Sequence, residues 1–155
     1  PIDSTFEDWS RAFEKTMAAN LTGPAHLSFL AMQAFKNSGG GRLIHIGSRG
    51  AYRGEPSHPG YAASKAALHA LSQSLAKAGG KHGIYSFALA PGFVSTDMAK
   101  PILDGPEGAE IMGQSPLGRV AKPEEVANAA LYFASGKGDF STGCVLDING
   151  GSYLR

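Results

Sequence analysis

Residues 42–50 read RLIHIGSRG, residues 61–80 read YAASKAALHALSQSLAKAGG, and residues 83–92 read GIYSFALAPG. Arg42 to Ile46 is a short apolar run stopped by Gly47-Ser48-Arg49-Gly50, the pattern of a buried strand. Tyr61 to Ala78 is rich in Ala and Leu, which favour helix, and Gly79-Gly80 ends it. Ile84 to Ala90 is again apolar and of strand length, and Pro91-Gly92 stops it. A strand, a helix and a strand in that order make a crossover unit, so the two strands run parallel in one sheet.

The flanks continue the alternation. Thr5-Phe6-Glu7-Asp8 has the form of a capping box, with Thr5 as N-cap and Asp8 reaching back. Phe6, Trp9, Phe13 and Met17 then recur on one helical face. A second helical stretch, Leu21 to Phe35, stops at Asn37-Ser38-Gly39-Gly40-Gly41. Ala51 to Gly60 reads as a loop, and residues 93–118, rich in Gly and Pro with scattered Met, Ile and Leu, as a mobile lid. Pro123 stands at a natural N1 position with Glu124 and Glu125 in the first turn of a helix that runs to about Ala134. Val145 to Ile148 makes a last strand, from which Asn149-Gly150-Gly151 turns away.

The expected fold is therefore α/β, a single domain over residues 1–155: an incomplete Rossmann-like, doubly wound parallel sheet with flanking helices. Three strands are too few for such a sheet covered on both faces. Pro1 opens the sequence without an initiator Met and in polar turn chemistry, so the chain is expected to begin partway through a longer protein. Sheets of this kind place ligands beyond the carboxyl ends of their strands, which here are Gly47-Ser48, Pro91-Gly92 and Ile148-Asn149.

Composition narrows the partners. Hydrophobic residues make up 43% and charged residues 17%, as in soluble globular proteins. A net charge of +1 without any Lys/Arg block argues against nucleic acid and against an anionic membrane surface. No apolar run is long enough to span a bilayer, and no signal or transit peptide is expected. Cys144 stands alone, and the five His residues form no His-x-x-x-His pair, so no disulfide and no metal site are expected. A cytoplasmic enzyme fits this profile.

Tyr61 and Lys65 lie one helical turn apart and project from the same face. A nearby ammonium favours a phenolate over a phenol, which lets a tyrosine act as general acid or base near neutral pH. An isolated Tyr-x-x-x-Lys recurs by accident on amphipathic helices, so the surroundings decide. Ser48 ends the preceding strand and offers a hydroxyl to a substrate carbonyl, although alone it would be a turn residue. Asn20 precedes Pro24 by one turn, and proline has no N–H for the Asn20 carbonyl. That carbonyl can hold a water, or the pair can simply mark a kink.

Asn20, Ser48, Tyr61 and Lys65, in this order and spacing, resemble the catalytic tetrad of the short-chain dehydrogenase/reductase family. The matching stretches are AANLTGP (18–24), GRLIHIGSRG (41–50), YAASKAAL (61–68) and APGFVSTDM (90–98). SPLGRVAKPEEVANAALYFAS (115–135) and STGCVLDINGG (141–151) resemble the family's closing helix and last strand. The resemblance implies NAD or NADP as cofactor and a small alcohol or ketone as substrate. It implies that Tyr61 exchanges a proton with the reacting oxygen, that Lys65 favours the phenolate and bonds the nicotinamide ribose, and that Ser48 polarises the carbonyl. Asn20 would hold a water through its main-chain carbonyl, Pro91 and Gly92 would let the nicotinamide approach closely, and Val94 and Thr96 would contact its carboxamide. No Gly-x-x-x-Gly-x-Gly follows a strand here, and the family's Asn-Ala-Gly element is missing, so weak dinucleotide binding is expected of these residues alone.

The family's substrate pocket would be lined from the segment holding Arg49, Arg53, Glu55 and His58, where the arginines either bind an anionic substrate or are solvated loop charges. Asp97 reads as a helix cap, and Met98, Ile102, Ile111 and Met112 as apolar lid residues that close over a substrate or only pack. The resemblance also implies a homodimer or homotetramer built on the Tyr61 helix and the Asn20 helix. An apolar strand edge at Leu43 to Ile46 would add to that tendency. Two rival readings are a remnant that serves as an oligomerising module, and an epimerase or dehydratase on the same fold.

Overall fold

The computed structural model describes residues 2–155, and Pro1, with the reading of the chain's first residue, lies outside the described residues. Helix α1 spans Phe6–Met17, and a π-helical turn, Ala18–Thr22, leads into α2, Gly23–Ser38. Strand β1 (Gly41–Ile46) is followed by α3 (Gly50–Arg53), α4 (Pro59–Gly79) and β2 (Ile84–Pro91). Two short helices, α5 (Lys100–Leu103) and α6 (Gly108–Gly113), precede α7 (Pro123–Ala134) and β3 (Val145–Ile148). The strands form one parallel sheet in the order β1-β2-β3, with Gly41 opposite Ile84 and Ala88 opposite Val145. The chain is α/β, as expected. No helix among the described residues is long and apolar enough to cross a membrane.

Strand alternation sets the layers. Side chains of successive strand residues point to opposite faces. Ser86 Oγ hydrogen-bonds Ser72 Oγ of α4 at 3.0 Å, whereas the ring of Phe87 stacks on Phe133 of α7 with centroids 4.3 Å apart. Thus α4 covers one face of β2 and α7 the other, which is why β2 reads as an uninterrupted apolar run. Phe87, Leu89 and Phe133 form the buried core cluster, against which Ile44 and Ile148 pack. On β1, His45 faces α2, where its Nε2 lies 2.9 Å from Ser28 Oγ.

Local rules account for the ends of these elements. Thr5 Oγ1 accepts the N–H of Asp8 at 3.1 Å, but the Asp8 carboxylate takes the Thr5 hydroxyl at 3.0 Å rather than closing the box on the backbone. At Pro24 the missing N–H widens the ladder: the N–H of Gly23 donates to Ala18, five residues back. The expected disturbance at Asn20 to Pro24 is thus a π-helical turn. At the start of α7, Glu125 accepts the Lys122 N–H at 2.8 Å and forms a two-bonded pair with Arg119.

Two expectations are corrected. The stretch 51–60 is not all loop, because one helical turn, α3, follows Ser48 directly. Residues 93–118, expected to form a lid, hold α5 and α6. Asp97 caps nothing there, since Thr96 Oγ1 accepts the Ala99 N–H at 3.3 Å. Among the described residues nothing pairs with the outer edge of β1.

Candidate active site

Helix α4 presents Tyr61, Lys65 and His69 at successive turns of one face. Lys65 Nζ donates to the Ile46 carbonyl at 2.8 Å and lies 5.7 Å from the centre of the Tyr61 ring. Ile46 ends β1, two residues before Ser48, so the lysine ties the helix to the strand that delivers the serine. Burial pushes the Lys65 ammonium down from its usual range. Asn20 joins from the π-helical turn: its Nδ2 donates to Ser64 Oγ at 3.1 Å, and that hydroxyl donates to the Tyr61 carbonyl at 2.7 Å. Asn20, Tyr61 and Lys65 thus meet around the first turns of α4, and Lys65 reaches the end of β1, two residues before Ser48.

His69 carries no motif of its own in the sequence, although its spacing from Tyr61 and Lys65 puts it on their face. It is 4% exposed, and its Nε2 accepts the Ser48 N–H at 3.4 Å. Gly47 permits this approach, because a Cβ there would overlap His69 Nε2. A neutral ring accepting at Nε2 carries its proton on Nδ1, which is buried without a partner. Desolvation first, then the cations of Arg155 and Lys65, lower its pKa from 6.5 to about 4, with Asp147 opposing them. A depressed folded-state value means that the unfolded chain binds the proton more readily. Stability from His69 is therefore present above about pH 6.5 and is lost as pH falls towards 4. The melting temperature should drop across this window, and His69→Leu should flatten the drop. An unchanged slope in the variant would reject the assignment.

At the carboxyl end of β2, Pro91 accepts the Arg49 N–H at 2.9 Å and the Gly92 N–H donates to Ile148 at 3.0 Å. Val94 pairs with Ala121 in a parallel bridge whose hydrogen bonds use the groups of Phe93 and Ser95. That geometry turns the N–H of Val94 away from Ala121. Thr96 is exposed nearby. A cleft of about 550 Å³ runs between residues 111–121 and the C-terminal residues, lined in part by Arg49, Ile111, Ser115, Asn149 and Arg155. It adjoins Ser48 through Arg49, without including Tyr61 or Lys65 in its wall.

A family profile described as Enoyl-(Acyl carrier protein) reductase matches residues 2–153. The chain belongs to the short-chain dehydrogenase/reductase family. It is 37% identical over 148 residues to the 3-oxoacyl-[acyl-carrier-protein] reductase FabG of Escherichia coli, covering 96% of this chain and 59% of that protein. It is 37% identical over 140 residues to a 3alpha-hydroxysteroid dehydrogenase of Mediterraneibacter gnavus, covering 89% and 55%. A short-chain type dehydrogenase/reductase from Mycobacterium ulcerans superimposes with a TM-score of 0.89 at 28% identity, over 94% of this chain and 54% of that one. A putative NAD(P) dependent gluconate 5-dehydrogenase from Beutenbergia cavernae, solved with bound NADP at low occupancy, gives 0.85 at 33%, over 90% and 57%. The chain thus spans 54% to 59% of the length of these four relatives.

Proposed function

We propose that the protein is an NAD(P)-dependent oxidoreductase that moves a hydride between nicotinamide and a secondary alcohol or ketone, with Tyr61 as the proton carrier. The observation that carries this reading is the single α4 face on which Tyr61 and Lys65 stand, with Lys65 anchored to Ile46, the last residue of the strand that precedes Ser48. The names of the relatives, reductases and dehydrogenases alike, support the reaction class.

The residues at the strand ends fit the nicotinamide half of such a cofactor. The N–H of Val94 and the hydroxyl of Thr96 suit the acceptor and donor atoms of a carboxamide, Pro91 and Gly92 border the same place, and Lys65 and Tyr61 suit ribose hydroxyls. The bound dinucleotide supplies the hydride. Tyr61 gives its hydroxyl proton to the carbonyl oxygen in reduction and takes it back in oxidation. Ser48 donates a hydrogen bond to that oxygen as negative charge develops on it. Lys65 stands beside the Tyr61 ring, and Asn20 steadies this end of α4 through Ser64.

The test is the change in nicotinamide absorbance when the protein is offered a panel of secondary alcohols and ketones with NAD(H) and NADP(H), at dinucleotide concentrations high enough to saturate weak binding. Turnover with one pair is expected, and no turnover with any pair overturns the proposal. A homodimer or homotetramer belongs to the same reading. Ala63, Ala66 and Ala70 leave one side of α4 exposed, and α1 exposes Phe6 and Trp9 beside it. Sedimentation at micromolar concentration should report a dimer or larger species, and a monomer of 16.1 kDa would reject self-association. A cytoplasmic setting suits the lone thiol of Cys144.

A further inference from the structure

Arg49 follows Ser48 directly and is 4% exposed. A guanidinium keeps its charge when buried, and an unpaired buried charge is costly. The other cations around it are paired: Arg53 with Glu55, Arg119 with Glu125, and Arg155 with Asp147. Arg49 has no ion pair among the described residues. Its Nη1 donates to Ser152 Oγ at 2.5 Å, and its Nη2 donates to Gln114 Oε1 at 3.0 Å. Burial, then the nearby Arg53 cation, push the Arg49 guanidinium down from its usual range, with Glu55 partly offsetting them.

Gln114 receives a second guanidinium. Arg53 Nη1 donates to the same Oε1 at 3.2 Å. Two cations from successive turns of one segment therefore converge on a single neutral oxygen supplied by the lid. Both partners are donors only, so the oxygen of the amide, and not its nitrogen, must face them. An amide has the planar shape of a carboxylate without the charge, which makes Gln114 a weak stand-in for the anion that two arginines bind best.

We propose that Arg49 and Arg53 form a carboxylate-binding subsite beside Ser48, closed in this conformation by the Gln114 side chain, and that the substrate is a ketone or secondary alcohol that also bears a carboxylate. The inference deepens the oxidoreductase reading and rests on it for the chemistry at Ser48. An entering carboxylate takes the place of Gln114 Oε1 between the two guanidiniums and frees the lid residue. A planar carboxylate matches the planar amide it displaces, whereas a tetrahedral phosphate does not.

The experiment is calorimetric titration of the protein, without nicotinamide, using 3-hydroxybutyrate, its uncharged methyl ester and inorganic phosphate as probes. The acid should bind and the ester should not. Gln114→Ala, which removes the competitor, should tighten the acid by about tenfold, and Arg53→Gln, at an exposed position, should weaken it by about tenfold. Gln114→Glu, which builds the carboxylate in, should abolish binding. Equal binding of acid and ester, phosphate binding more tightly than the acid, or an unchanged affinity in Arg53→Gln overturns the proposal. So does the absence of binding by both the unmodified protein and Gln114→Ala. The readout needs neither hydride transfer nor Tyr61, so loss of the subsite and loss of the oxidoreductase reading are separate results.

Discussion

Tyr61→Phe should lower kcat by about 10²-fold or more, because it removes the one hydroxyl assigned to carry the proton. The change is small in every other respect. The ring keeps its place on α4 and its position 5.7 Å from Lys65 Nζ, and the hydrogen bond from Ser64 goes to the Tyr61 backbone carbonyl, which the substitution leaves intact. Folding, measured by circular dichroism and by thermal melting, should therefore match the unmodified protein. A fall in kcat with KM nearly unchanged would indicate an interaction made in the transition state and not in substrate binding. Lys65→Met is the complementary case, since it removes both the ammonium beside the ring and the hydrogen bond to Ile46. It should cost activity together with some stability. Near-normal turnover by Tyr61→Phe would remove the proton-transfer assignment, whatever the fold.

The parts of the fold that were legible in the sequence are those ruled by local physics. β2 could be read because a strand covered on both faces is largely apolar, and Val145 to Ile148 because three aliphatic residues in four, set between glycines, suit a short strand. The α7 start was fixed by Pro123 and two glutamates. α3, by contrast, is a single turn of four residues, too short to show a helical period. The lid helices, of four and six residues, were hidden for the same reason.

The site divides along a similar line. Tyr61 and Lys65 can be placed together from helical spacing alone, whereas His69, on the same face, carries no signal in the sequence that sets it apart. Its role depends on the Gly47 backbone lying against the ring, which no local pattern encodes. Arg49 is the harder case. Its sequence context fits an anion-binding arginine and a solvated loop charge alike, and only long-range partners, Gln114 and Ser152, explain how it is buried.

Phe87→Ala should destabilise the protein by about 3–5 kcal/mol, as truncation of a fully buried aromatic does. Phe87 is 0% exposed at the centre of β2, and its ring lies against Phe133 of α7 while Leu89 flanks it on the same face. Truncation loses the transfer free energy of the ring and leaves a cavity that neither element can readily close. The strand is pinned by its ladders to β1 and β3, and α7 is pinned at its start by the Arg119–Glu125 pair. A natural domain has only about 5–15 kcal/mol in hand, so the loss is a large share of the total. Urea unfolding at one fixed protein concentration measures it as a lower midpoint. Phe6→Ala is the control. Phe6 is 74% exposed on α1, so its truncation should change monomer stability by less than about 0.5 kcal/mol. If the α1 face carries self-association, that control will instead alter how the midpoint depends on protein concentration. A cost below about 1 kcal/mol for Phe87→Ala would mean that α7 does not close the sheet face as rigidly as described, because only a ring already part-solvated or a site free to collapse makes such a removal cheap.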